Sequence, residues 1–251
     1  MENRYSRNRL YISAQEQEVI KNVPIILGGA GIGSVIAECA LRLGFENITI
    51  IDGDQVEESN INRQNYTFED ITKDKIKALE NRLKSINENA NIKVHNCFLT
   101  EENVELFILG HKIAINALDF TSDVPLLFDK ICQKNEIPVL HPYNLGWGGL
   151  VTVICPTGLS LEVLEKETNK FTELDVVEYA TGYSKFWGTP HAWIDEIVDK
   201  YKKENGSLPP PQLSIASWIL AGICTHLLFN IATEKEYKKF PEFYLSTILN
   251  N

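Results

Sequence analysis

The sequence predicts an α/β fold, a Rossmann-like doubly wound and mostly parallel sheet that carries a C-terminal crossover excursion and an apolar helix. Three observations carry this reading. Short β-branched runs alternate with helical stretches from Pro24 to Pro156, the signature of parallel strands with helices on both faces. The first run passes straight into Gly28-Gly29-Ala30-Gly31-Ile32-Gly33-Ser34, a glycine-rich turn that opens a helix. Asp52 closes the next run, 24 residues after Gly28, where a carboxylate meets a nucleotide ribose in folds of this kind.

In chain order, residues 25–27 form a short apolar strand, and residues 34–43 a helix with either Val35, Ala40 and Leu43 or Ile36, Ala37, Ala40 and Leu41 on its buried face. Gly44 stops that helix. Residues 47–51 are a second strand. Residues 73–87 are an amphipathic helix, with Ile76, Leu79, Leu83 and Ile86 spaced 3, 4 and 3 apart. Strands at 92–98, 113–117, 137–141 and 150–154 alternate with helices at 103–109 and 124–135. Beyond Pro156 the chain turns charged and aromatic up to Pro209-Pro210-Pro211; it reads as partly helical, with Trp193, Ile194, Ile197, Val198 and Tyr201 in one stripe. Residues 214–233 are an apolar helix, succeeded by a short tail. The whole is one domain, 1–251, divided into a nucleotide-binding core (1–156), a crossover and substrate region (157–211) and a C-terminal helix with its tail (212–251).

Composition narrows the function. With 24 basic and 34 acidic side chains the net charge is −10, which argues against a general DNA or lipid-surface binder. Cysteines stand at 39, 97, 132, 155 and 224, too dispersed for a Cys-x-x-Cys pair or a disulfide frame. The expectation is reduced thiols in the cytoplasm and no zinc site. The N-terminal arginines are not succeeded by an apolar region, so no signal peptide is expected. The apolar run 215–231 is interrupted by Ser217, Thr225, His226 and Asn230 and reads as a buried helix rather than a membrane span.

A glycine-rich turn at a helix N-terminus offers backbone N–H groups and a partial positive charge to phosphate. Gly28, Gly29, Ala30, Gly31 and Gly33 are therefore candidate phosphate contacts, and Asp52 the candidate ribose contact. Ala30 stands where the Gly-x-Gly-x-x-Gly pattern has its second glycine, so its methyl is expected either to push the phosphate outward or to mark a differently arranged turn. The fingerprint alone does not separate a dinucleotide enzyme from an ATP enzyme.

The next segment does. Asp52-Gly53-Asp54-Gln55-Val56 leads into Ser59-Asn60-Ile61-Asn62-Arg63-Gln64, and this pattern resembles the ThiF/MoeB/HesA superfamily, bacterial relatives of ubiquitin-activating enzymes. Arg4-Tyr5-Ser6-Arg7 is similar to that family's N-terminal motif, with Asn8 in place of a glutamine. Asp74-Lys75, Asn116-Ala117-Leu118-Asp119 and Gly148-Gly149-Leu150-Val151 resemble further family elements.

The resemblance implies an ATP-dependent adenylyltransferase that activates a carboxylate, the C-terminus of a small carrier protein or peptide, with release of pyrophosphate. Such a carboxylate is ionised near neutral pH, so the step needs positive charge and alignment rather than a general base. Arg63 and Lys75 can supply the charge. The resemblance further implies that Asp54, Asn60 and Gln64 line the pocket, that Asp119 holds Mg²⁺, and that Arg7 reaches the partner's site in a homodimer. Each residue also has a plain reading: Arg7 and Lys75 as solvated cations, Asp119 as a helix N-cap, Arg63 in an ordinary ion pair.

Family members often receive the acyl group on a crossover cysteine, but residues 156–223 contain none; Cys155 and Cys224 are expected to be buried. His141 is a substrate-side candidate or a structural histidine. His191 and the 183–187 segment either line a groove or pack the excursion. The alternatives are an enzyme like tRNA threonylcarbamoyladenosine dehydratase, against which the acidic charge weighs, and a non-catalytic nucleotide-binding homologue.

Overall fold

The computed structural model describes residues 3–166, 171–204 and 207–249. Its strands are β1 (Ile25–Gly28), β2 (Asn47–Ile51), β3 (Asn91–His95), β4 (Ile113–Asn116), β5 (Val139–Asn144), β6 (Gly148–Ile154) and β7 (Phe243–Thr247). They form one sheet in the order β3-β2-β1-β4-β5-β6-β7. β1 through β5 are parallel, and β6 and β7 join antiparallel. The helices are α1 (Ala14–Asn22), α2 (Ile32–Leu43), α3 (Lys75–Ile86), α4 (Val104–Ile108), α5 (Val124–Lys134), α6 (Glu173–Phe186), α7 (Ala192–Lys203) and α8 (Ser214–Ala232).

β1 is an unbroken apolar run because it is covered on both faces. Ile25 and Leu27 belong to the core shared with α2, α3 and α8, and Ile26 to the core on the other face, with Phe128 of α5 and Val176 of α6. Strand order reverses at β1, which has β2 on one side and β4 on the other. The register pairs Gly28 with both Ile51 and Asn116, so the three central strands end level. Gly29, Asp52 and Ala117, the first residues past those strand ends, lie at the switch point where ligands bind in open α/β sheets.

α8 is long and apolar enough, by length and composition, to cross a membrane. Ten of its residues are nonetheless buried within the fold. It lies so close to β6 that a Cβ on Gly149 would stand 2.7 Å from Leu220, in keeping with a core helix.

Several elements differ from the sequence expectation. The tail is not a loose end: Phe243–Thr247 pairs with β6 as the sheet's edge. α3 begins at Lys75 rather than Lys73, because Val56 N–H donates to Lys73 O at 2.9 Å and Gln55 bridges Asp74, which holds the chain extended up to the helix. β5 runs on through Pro142, which lies past the end of the β4 pairing, so its missing N–H deprives no strand on that side. α1 is an added helix, started by a capping box in which Ser13 and Glu16 bond reciprocally. In α7 the expected stripe is narrow: Ile194 is buried, Trp193 and Val198 pack partly against the core, and Ile197 is exposed.

The β6–β7 pairing depends on a bare backbone at Gly148, where a Cβ would meet Ser246 O at 2.6 Å and Thr247 Cβ at 3.2 Å. Gly148→Ala should therefore cost about 1–3 kcal/mol, as overpacking does elsewhere. Urea denaturation measures this, and an unchanged midpoint would contradict the close approach.

Candidate functional site

The glycine turn is held from three sides. Gly29 N–H donates to Ile51 O at 2.9 Å, and Ala117 N–H donates to Gly28 O at 2.8 Å. Gly29 has φ +96°, and a Cβ there would collide with the Ala117 carbonyl, so a side chain is excluded twice over. Ala30 N–H donates to Asp52 Oδ2 at 2.6 Å and Asp54 N–H to Asp52 Oδ1 at 2.7 Å. Each Asp52 oxygen accepts one backbone bond and keeps lone-pair capacity for a ribose hydroxyl.

For Ala30 the structure favours the second of the two expectations, a differently arranged turn. Ala30 is fully buried and belongs to the α2-side core. A methyl facing the phosphate groove would be exposed in the protein alone, so this one is turned into the fold. Tyr66 fixes the turn further, its hydroxyl donating to Ala30 O at 2.7 Å; burial pushes that phenol well above its ordinary pKa.

α2 then starts at Ile32 with Gly31 as its N-cap, and no side chain caps it. Ser34 N–H donates to Gly31 O at 3.2 Å, which leaves the N–H groups of Ile32 and Gly33 for an anion. Gln64 packs against this turn: a Cβ on Gly31 would make ordinary contact with Gln64 Nε2, at 3.4 Å. Gln64 Oε1 is buried and meets no protein donor among the described residues.

The charged residues gather around this turn. Lys75 is buried (7% exposed). Its Nζ bonds Asp54 Oδ2 at 2.8 Å and its N–H donates to Asp54 O at 2.9 Å, which replaces the solvated-lysine reading. Asn60 is buried and organises the turn: its Oδ1 accepts from Glu57 N–H, and its carbonyl accepts from Arg63 and Gln64 N–H. Arg63 donates through Nε to Gln212 Oε1 at 2.6 Å, and through Nη1 to Ser59 O at 2.8 Å and Asn62 Oδ1 at 2.9 Å.

Asp119 lies within electrostatic reach of Lys75, Asp54, Asp52 and Arg63. Burial raises its carboxyl pKa, the aspartates add to that, and the two cations oppose it. Asp123, not Asp119, stands at the N-cap of α5. Among the described residues no three such side chains converge to hold a metal ion by themselves. A magnesium ion on Asp119 would complete its shell with phosphate oxygens and water, its usual habit.

Two candidate residues stand apart from this site. Arg7 is exposed on a short N-terminal 3-10 turn, beside Asn8 and Tyr5, which bond Leu43 O and Glu46. That is the far end of α2, about 18 Å along a 12-residue helix from the glycine turn, so Arg7 does not reach its own chain's site. His141 is 1% exposed, with Nε2 at 2.8 Å from both Asp129 oxygens, and Asp129 also accepts from Asn116; it is a structural histidine. Cys155 and Cys224 are both buried, as expected. Of the excursion, Phe186 and Trp187 are exposed and, with Tyr179 and Tyr183, line a shallow open surface groove of about 510 Å³. Trp193 packs inward.

Two contributors were missed from sequence. Gln212 reaches Arg63 across 149 positions and comes directly after the proline run. Glu173 opens α6 inside the Thr172/Asp175 capping box, and its carboxyl is pushed up to about 7 by burial and by Asp119, against a bond from Phe120 N–H. A carboxyl raised above its ordinary value of 4.5 holds its proton better folded than unfolded. The associated stability is full at low pH and is lost as pH climbs toward 7. Relative to Glu173→Gln, the wild type should lose about 1–3 kcal/mol between pH 4.5 and 7.5; parallel pH–stability curves would count against this.

The chain is 33% identical over 162 residues to the sulfur carrier protein ThiS adenylyltransferase of Bacillus subtilis, covering 62% of this chain and 48% of that protein. It is 32% identical over 143 residues to the tRNA threonylcarbamoyladenosine dehydratase of the same organism, covering 56% of each. The chain spans about half the length of the curated relatives it matches. Among solved structures, E. coli MccB with ATP superposes with a TM-score of 0.71 at 16% identity, over 98% of this chain and 72% of that one, a likeness of fold. Residues 5–247 match the ThiF family, and the chain belongs to it.

Proposed function

We propose that this chain is an ATP-dependent adenylyltransferase that activates a carboxylate, the C-terminus of a small carrier protein or peptide, as an acyl-adenylate. The observation that carries the reading is the convergence of Arg63, Lys75 and Asp119 on an uncapped helix N-terminus whose glycine turn is pinned by Asp52. A relative named for adenylation of the carrier ThiS, and the structures of MccB with ATP and with MccA, support it.

The chain's own groups suffice for the positioning. The α2 N–H groups and Gln64 hold phosphate oxygens, and Asp52 accepts from the ribose. Arg63 and Lys75 neutralise charge that builds on the α-phosphate and leaving pyrophosphate as the ionised carboxylate attacks in line. Asp119 would hold Mg²⁺, which supplies further charge neutralisation at the phosphates. The crossover offers no thiol for the acyl group: residues 156–223 contain no cysteine. Cys132, Cys155 and Cys224 are buried, half-buried Cys39 and Cys97 pack against the cores, and burial raises the thiols of Cys97, Cys132 and Cys224 above their ordinary value. The adenylate is the product, or passes to a nucleophile from another molecule.

A second reading keeps the chemistry and changes the carboxylate to one on a modified tRNA nucleoside. The dehydratase relatives favour it, and the net charge of −10 weighs against it. Pyrophosphate exchange screened against small proteins, peptides and tRNA separates the two. ATP binding without exchange for any carrier or peptide would refute the first reading. With a productive substrate in hand, Arg63→Ala, Lys75→Ala and Asp119→Asn should each lower exchange by about 10²-fold.

The homodimer is part of the proposal: Arg7, exposed and far from its own site, serves the partner's. Arg7→Ala and Lys75→Ala would each be inactive alone. Mixed and reassembled, half the dimers are hybrids with one intact site of two, so activity should return to about a quarter of wild type. No recovery on mixing would place Arg7 outside the site.

A further inference from the structure

Arg63 carries five N–H donors. Nε is spent on Gln212 and both Nη1 hydrogens on Ser59 O and Asn62 Oδ1; among the described residues no acceptor meets Nη2. A guanidinium tied at three donors cannot rotate, so the remaining two point in a fixed direction. Two of the three ties come from the same turn as Arg63 itself. The third, Gln212, comes from the segment that brings the excursion back to the core.

That segment is anchored independently of Arg63. Pro209-Pro210-Pro211 limits its backbone freedom. The next residue, Leu213, is clamped on both polar groups by one side chain: its N–H donates to Asn144 Oδ1 at 3.3 Å, and Asn144 Nδ2 donates to its carbonyl at 3.0 Å. Asn144 Nδ2 also reaches Ser217 Oγ in α8 at 3.1 Å. Gln212 is therefore held between a rigid proline run and a doubly bonded residue. Its carboxamide oxygen is neutral, so it orients the guanidinium without cancelling the charge.

We propose that Gln212 is a positioning residue for nucleotide binding, holding Arg63 at Nε so that Nη2 is directed at the triphosphate. It makes the crossover return part of the phosphate site although Gln212 itself touches no substrate. The inference rests on the nucleotide-site reading of the glycine turn and its charged neighbours.

The test is a double-mutant cycle on the full chain, with ATP and adenosine affinities measured by calorimetry. Gln212→Leu should weaken ATP about tenfold and leave adenosine unchanged. Gln212→Glu, which keeps the bond but cancels the charge, should weaken ATP at least as much. In the Arg63→Ala background, Gln212→Leu should add nothing, because its effect runs through Arg63. Unchanged ATP affinity in Gln212→Leu overturns the proposal. So does a loss of the same size in the Arg63→Ala background, or an equal loss for adenosine, since both mark general damage to the fold. Failure of the wild type to bind ATP would sink the nucleotide-site reading instead, and that arm is read first.

Discussion

The site depends on the Asp52 carboxylate, which accepts from Ala30 on one oxygen and from Asp54 on the other. Those two bonds tie the turn after β1 to the loop after β2. The turn opens α2, and the loop carries Asp54 and hence Lys75. One carboxylate thus sets the distance between the anion-binding helix end and the buried ammonium. It does so at the strand ends, where sheet register already holds Gly28 level with Ile51 and Asn116.

The electrostatics of the molecule are divided. The chain as a whole is acidic, and the site itself holds Asp52, Asp54 and Asp119. Lys75 and Arg63 are kept there by bonds that limit their motion rather than by an excess of positive charge. This arrangement costs little in the free protein because Lys75 is already paired with Asp54. A triphosphate would compete with that carboxylate for the same ammonium, so part of the binding energy is an exchange of partners.

Much of this was legible in the sequence, and for identifiable reasons. β1, β2 and β4 read as strands because burial on both faces leaves unbroken β-branched runs. The place of the glycine turn between β1 and α2, and of Asp52 at the end of β2, was legible because both positions are local and backbone-determined. β7 was not legible: five residues with one partly buried face become a strand through a distant partner, β6. Gln212 and Glu173 were equally hidden, since each acts through a neighbour from a distant segment. Ala30 was read against a glycine pattern that assumes a groove-facing position, and the direction of a methyl is a tertiary fact. Lys75 carried two readings, a charge donor implied by the resemblance and a plain solvated cation, and the clasp between residues 54–56 and 72–75 removes the second.

That clasp bears on chemical reactivity. The side chains of Lys73 and Lys77 are 55% and 62% accessible, while that of Lys75 is 9% accessible and engaged by a carboxylate. Acylating reagents require a free, deprotonated amine, so surface labelling will modify the two flanking lysines and pass over the one between them. The lysine that matters is the least reactive of the three, shielded from adventitious acyl donors in a protein proposed to generate activated acyl groups in the same pocket.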